Sequence, residues 1–178
     1  MRYKIILVWV GILISSAVFG WFGRYYYTSK LENGISTSYL AKFIKTPMPR
    51  IEVLNIDSVR VRSSDLFGNA ATVILLFDPY CPHCHDQIKE ILVHQSELME
   101  VKFCLITPFP FYQMHKTYDD FQLKNMKNIF IGVDDKNYLL SYYNITGVPS
   151  MLIFDKDRKL IKAFLGGVNY KEILSAVE

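Results

Sequence analysis

Thr72-Val73-Ile74-Leu75-Leu76-Phe77-Asp78-Pro79-Tyr80-Cys81-Pro82-His83-Cys84 is the stretch on which the reading of this chain turns. Residues 73–77 are apolar without alternation, the pattern of a strand covered on both faces and therefore central in a sheet. Pro82 suits the first turn of a helix, where no N–H is required. Cys84, Ile88, Ile91, Leu92 and Leu98 then fall at helical spacing, which turns Cys84 inward and leaves Cys81 at the helix tip. A helix N-terminus presents unpaired N–H groups and the positive end of the macrodipole, a setting that favours a thiolate on Cys81. The two cysteines are thus a candidate dithiol/disulfide site.

Outward from this stretch, residues 101–106 return as a second apolar run, too distant for a hairpin, so a right-handed βαβ crossover is implied. Upstream, residues 50–56 alternate and Asp57-Ser58 turns the chain into Val59-Arg60-Val61, the pattern of a β-hairpin. Residues 64–67 read as a short helical turn ended by Gly68-Asn69. Downstream, Pro108 and Pro110 break the chain. A helix is then predicted over 112–127 on Met114, Tyr118 and Phe121, and a strand over 128–133. Asp134-Asp135 caps a short helix ending at Tyr143. Gly147-Val148-Pro149 leads into a strand over 150–155, residues 156–159 turn it into a strand over 160–165, and Gly166-Gly167 separates that from a helix over 170–177.

A chain of 178 residues, 51% apolar, has enough material for one good core, and one folded domain is expected, over residues 47–178. The net charge of +3 is unevenly spread. Residues 1–46 carry six Lys/Arg and one acid, whereas the remainder carries 14 Lys/Arg against 16 acids. The domain itself is slightly acidic, so nucleic-acid binding has no electrostatic support. From Ile5 to Gly23 no residue is charged, close to the roughly 20 apolar residues that cross a bilayer core. Residues 1–23 therefore read as a transmembrane anchor, with Trp9 and Trp21 near the interfaces, or as a signal peptide cut after Ser15-Ser16-Ala17. The apolar run continues past that small-residue site, which favours the anchor. Either reading exports the domain to a compartment where a closely spaced cysteine pair can be held as a disulfide. Residues 24–46, with Tyr25-Tyr26-Tyr27 and then Ser, Thr, Gly and Asn, read as a tether.

The order of elements, with Cys81-Pro82-His83-Cys84 opening the first crossover helix and Gly147-Val148-Pro149 just before a late strand, resembles the thioredoxin superfamily. The resemblance covers residues 47–178 and implies an α/β, thioredoxin-like fold: a central mixed sheet flanked by helices, with an N-terminal β-hairpin. The hairpin, and the extra strand and helix before Pro149, are similar to the membrane-anchored TlpA/ResA-type proteins of bacterial envelopes, while the Pro-His dipeptide is that of DsbA-type oxidases. The resemblance implies that Cys81 is the exposed nucleophile, Cys84 the buried resolving thiol, and Pro149 a cis proline beside Cys81. It leaves the Val148 backbone free to pair with an extended client chain, with Tyr80 on the same substrate-facing rim. His83 would favour the Cys81 thiolate by a hydrogen bond or by its own charge.

Two departures stand out. Many relatives carry a buried acid six residues before the first cysteine, where it helps deprotonate the second; here that position is Leu75. Asp78 and Tyr80 replace the commoner small residue and tryptophan, and Asp78 is either a nearby carboxylate or a turn cap before Pro79.

The expected activity is extracytoplasmic thiol–disulfide exchange with protein clients through Cys81 and Cys84, at the inner membrane and facing the periplasm. It calls on a membrane redox partner and on no metal, flavin or nucleotide. The TlpA/ResA-like architecture points to a reductant and the Pro-His dipeptide to an oxidant; reduction is favoured. Two non-enzymatic readings compete. Cys81, Cys84, His83 or His85 suit a copper or zinc carrier, and Cys81-Pro82-His83-Cys84-His85 satisfies the Cys-x-x-Cys-His pattern of c-type haem attachment. A peroxidase of the peroxiredoxin kind would want Thr where Asp78 stands. Cys104, in an apolar run, reads as a core thiol, and His94 and His115 as surface residues of helices.

Overall fold

Five consecutive buried residues, Thr72 to Leu76, form a strand because β-branched and leucine side chains on both faces find a cover of helices and neighbouring strands. The computed structural model describes Gly20 and residues 39–66 and 70–178. Within them, seven strands run as β1 (Glu52–Leu54), β2 (Arg60–Arg62), β3 (Thr72–Leu76), β4 (Lys102–Thr107), β5 (Ile129–Val133), β6 (Ser150–Phe154) and β7 (Leu160–Leu165). The helices are α1 (Ser63–Leu66), α2 (Pro82–Val93), α3 (Phe111–Asp120), α4 (Tyr138–Tyr143) and α5 (Tyr170–Val177). The sheet order is β2-β1-β5-β4-β3-β6-β7.

β3 is parallel to β4, from Thr72 opposite Lys102 to Leu76 opposite Ile106, and α2 is the crossover between them. On its other side β3 is antiparallel to β6, with Leu76 opposite Ser150. That pairing brings the start of β6, and so Pro149, to the same sheet end as the Cys81 turn. Val73, Leu75 and Phe77 share one core cluster with Cys84, Ile88 and Ile91 of α2, while Ile74 and Leu76 are buried on the opposite face, as a period of two requires. Each such side chain stabilises the fold by about 1.5–3 kcal/mol.

The hairpin forms as expected. Asn55 Oδ1 accepts from the N–H groups of Asp57 and Val59 (3.0 and 2.8 Å), which closes the turn, and β1 then docks antiparallel on β5 at Leu54–Val133. The helix predicted over 112–127 is shorter. It ends at Asp120, and Gln122 takes a left-handed conformation (φ 52°) that redirects the chain so that Leu123, in a 3-10 turn (Leu123–Asn125), is buried. Likewise α2 stops at Val93, and Leu98, expected on that helix, is buried from the turns that follow. The short helix begins at Tyr138 rather than directly after Asp134-Asp135; the Asp134 carboxylate still caps it, accepting from Leu139 N–H at 2.8 Å.

Packing onto the domain starts before residue 47. A 3-10 turn (Tyr39–Phe43) buries Leu40, Lys45 N–H donates to Leu160 O (2.7 Å), and Leu160 N–H donates to Thr46 O (2.9 Å). The last part of the expected tether is thus paired to the start of β7. The apolar segment 5–23, apart from Gly20, the rest of the tether and Gly68-Asn69 lie outside the described residues. Among the described residues, no helix is long and apolar enough to cross a membrane.

Candidate active site

After β3 the chain turns within four residues. Asp78 Oδ1 accepts from Tyr80 N–H (2.7 Å) and Asp78 O accepts from Cys81 N–H (3.1 Å), so the Asp78 side chain acts as the turn cap before Pro79. Cys81 is the N-cap of α2, in extended backbone, and Pro82 opens the helix. The Cys81 sulfur makes no capping bond to the helix; it is half-buried and stands 3.9 Å from the Val148 carbonyl.

Cys84, one turn inward, is buried and receives the Asp78 N–H at 3.5 Å. Burial pushes the Cys84 thiol up to about 12, the Asp78 N–H working against that rise and the adjacent Cys81 thiol adding to it. Leu75 is fully buried in the same cluster, so the strand position six residues before Cys81 offers Cys84 no proton acceptor. The arrangement is one accessible sulfur backed by one sheltered, protonated sulfur. It can form a mixed disulfide at the surface and resolve it from within.

The facing wall is the loop before β6. Val148–Pro149 is a cis peptide, Ser150 Oγ–H donates to Gly147 O (2.7 Å), and Gly166 N–H donates to Pro149 O (2.8 Å). Phe77, Asp78, Phe109, Leu140, Gly147 and Val148 are among the residues around a concavity of about 150 Å³ beside the cysteines. A larger cleft, about 860 Å³, lies among Pro47, Ile51, Ser63, Asp134, Lys136 and Arg158 and shares no residue with the cysteine pair.

The structure therefore gathers Cys81, Cys84, Val148 and Pro149. Tyr80 stands at the rim, 63% exposed, with its ring edge-on to Phe109 at a centroid distance of 6.4 Å. His83 is exposed and makes no hydrogen bond, ion pair or ring contact with any described residue, so the expected bond to the Cys81 sulfur is not formed. His85 Nε2 lies 2.7 Å from Pro79 O, and because a carbonyl only accepts, that nitrogen carries the proton. Its ring also packs edge-on against Phe121. The haem-attachment reading needs that bond to break. Among the described residues, no group of three or more His, Cys, Asp or Glu is arranged to hold a metal ion.

Cys104 is a buried core thiol, pushed up to about 12 by burial. His115 is at the surface beside Asp119, whereas His94 caps α2 and stacks on Tyr170 at 3.6 Å. Sequence reasoning missed Phe109 and Gln87. Gln87 had a signal: a polar residue on the inward stripe that carries Cys84, Ile88 and Ile91.

No protein-family model and no curated protein matches this sequence. Solved structures do. StoA from Bacillus subtilis aligns at a TM-score of 0.55 and 16% identity, over 75% of this chain and 99% of that one. A secreted Mycobacterium tuberculosis disulfide oxidoreductase aligns at 0.59 and 14%, over 71% and 92%. A yeast mitochondrial 1-Cys peroxiredoxin aligns at 0.61 and 16%, over 74% and 72%. Identities this low establish the fold, which is thioredoxin-like, and leave the chemistry to the site.

Proposed function

We propose that this chain is a thiol–disulfide oxidoreductase that exchanges disulfides with protein clients outside the cytoplasm. In this reading residues 5–23 hold it at the inner membrane with the domain on the periplasmic side. The observation that carries the activity is the half-buried Cys81 sulfur at the tip of α2, with buried Cys84 behind it and the Val148 carbonyl 3.9 Å in front.

In the reducing direction, Cys81 thiolate attacks one sulfur of a client disulfide, forming a Cys81–client disulfide and releasing the other client sulfur as thiolate, which takes a proton. Cys84, once deprotonated, attacks the Cys81 sulfur. The client's second thiolate leaves, and the Cys81–Cys84 disulfide holds the two electrons' worth of oxidation. A dithiol on a membrane partner then restores the pair. The Val148 backbone and the rim ring of Tyr80 orient the client chain, and His83, exposed on the first turn of α2, is open to solvent. Reduction is the favoured direction, because the hairpin β1–β2 and the inserted β5–α4 match the architecture of the envelope reductants that the sequence resembles.

The test is a glutathione titration of the Cys81/Cys84 couple in the full-length protein in detergent. A potential near about −270 mV makes it a reductant, and one near about −120 mV reverses the direction. Cys81→Ser is expected to abolish exchange; residual exchange would remove Cys81 from its role. Export is checked in intact cells, where Cys81 is expected to react with a membrane-impermeant maleimide.

A further inference from the structure

Gln87 sits on α2, one turn beyond Cys84, and its side chain is buried at 3% exposure. Its amide is used on both sides. Nε2–H donates to Val168 O at 2.9 Å and Oε1 accepts from Val168 N–H at 2.6 Å, a side chain pairing with backbone 81 residues away as a neighbouring strand would. The next two turns of the same helix face extend the grip. Glu90 Oε1 accepts from Tyr170 N–H at 3.1 Å, and the His94 ring stacks on that tyrosine.

The segment held in this way is the one that holds the facing wall of the active site. Two residues before Val168, Gly166 adopts φ +100°, a conformation suited to glycine, and from there its N–H donates to Pro149 O at 2.8 Å. Val148, the next residue back, presents the carbonyl 3.9 Å from the Cys81 sulfur. One continuous run of contacts thus goes from the cysteine-bearing helix through Gln87, Val168, Gly166 and Pro149 to the Val148 carbonyl and back to Cys81.

We propose that Gln87 is a positioning residue for exchange: its amide clamps the 166–168 loop to α2 and so sets the Val148–Pro149 edge, on which a client chain lies, at its distance from Cys81. The inference rests on the oxidoreductase reading. Gln87 touches neither sulfur, so it acts on how an extended chain is presented and not on the sulfur chemistry. A small disulfide, which needs no backbone edge, is insensitive to it.

The experiment compares wild type with Gln87→Leu, which keeps bulk and removes both bonds, and with Gln87→Glu, which keeps the acceptor for Val168 N–H but sets a carboxylate against Val168 O. The probes are insulin, as a protein disulfide turned over with dithiothreitol as the reductant, and dithiobis(nitrobenzoate), as a small one reduced in a single turnover by the pre-reduced Cys81/Cys84 pair. Hydrogen exchange at the Gly166 and Val168 amides is measured alongside. The expected result is a tenfold or greater fall in kcat/KM for insulin in Gln87→Leu, carried by KM, with the small-disulfide rate within twofold of wild type and faster exchange at both amides. Gln87→Glu should fall between, and it serves alone if the leucine variant does not fold. Equal losses with both probes, or an unchanged insulin KM, would overturn the inference while wild-type turnover left the oxidoreductase reading standing. A wild type inert towards both probes would instead overturn that reading.

Discussion

The resolving step offers the sharpest quantitative expectation. In the exchange chemistry proposed above, Cys84 becomes a thiolate to attack the Cys81–client disulfide, and burial holds its thiol up at about 12. At that value the thiolate is about one part in 10⁵ at pH 7 and about one part in 10³ at pH 9. No carboxylate at position 75 relieves the deficit, since Leu75 lies buried in the cluster that holds Cys84. The release of a group bound to Cys81 is therefore expected to accelerate about tenfold for each pH unit from 7 to 10, without levelling off. The assay loads Cys81 with thionitrobenzoate and follows its release by stopped-flow absorbance. Cys104 does not compete, being fully buried in β4. The same assay on Leu75→Glu is expected to show a flatter profile and a release at least tenfold faster at pH 7, against a stability loss of roughly 2 kcal/mol or more for burying the carboxyl. A wild-type rate that levels off below pH 9 would refute the reasoning, because Cys84 would then ionise as an ordinary exposed thiol does.

Cys84→Ser is expected to strand clients on Cys81, visible as a covalent adduct by non-reducing mass spectrometry; free turnover would show that Cys84 is not the resolving thiol. Cys104 should make the fold sensitive to alkali. It ionises near pH 9 when unfolded but is pushed up to about 12 when folded, so its contribution is whole below pH 9 and is lost as pH rises towards 12, by on the order of 1 kcal/mol at pH 10. Urea midpoints at pH 8 and pH 10 should therefore differ more in wild type than in Cys104→Val. Gly132→Ala would bring a Cβ to 2.8 Å from Leu54 O and 2.9 Å from the Phe130 ring, forcing β1 away from β5. A loss of about 1–3 kcal/mol in urea denaturation is expected. Asn169→Ala removes the capping box of α5, in which Asn169 Oδ1 accepts from Glu172 N–H and Glu172 answers to Asn169 N–H, at about 1 kcal/mol in the same measurement.

Local physics made much of this chain legible in advance. A short unalternating apolar run bounded by turn residues suits a strand covered on both sides, a proline after Cys81 suits the first turn of a helix, and i, i+4 spacing turns Cys84 inward. These depend on periodicity and on missing N–H groups, which are properties of a few adjacent residues. β6, β7 and α5 were readable for the same reason, their ends being marked by Pro149, by the polar turn at 156–159 and by Gly166-Gly167.

Tertiary packing decided the rest. The helix after Pro110 ends at Asp120 because burying Leu123 outweighs the left-handed backbone that Gln122 must adopt, a balance set by the core and not by the helix. His85 turns from a nominal ligand into a clasp on Pro79 O only once the turn before α2 has folded back. Gln87 finds its two partners 81 residues along the chain, and the antiparallel pairing of β6 with β3 is what sets Val148 opposite Cys81. Sequence alone therefore located the strands, most of the helices and the candidate sulfur pair, since those follow from local pattern. The wall facing the sulfur, the clamp behind that wall and the proton economy of Cys84 came from the fold, because each depends on which distant groups exclude water from the same place.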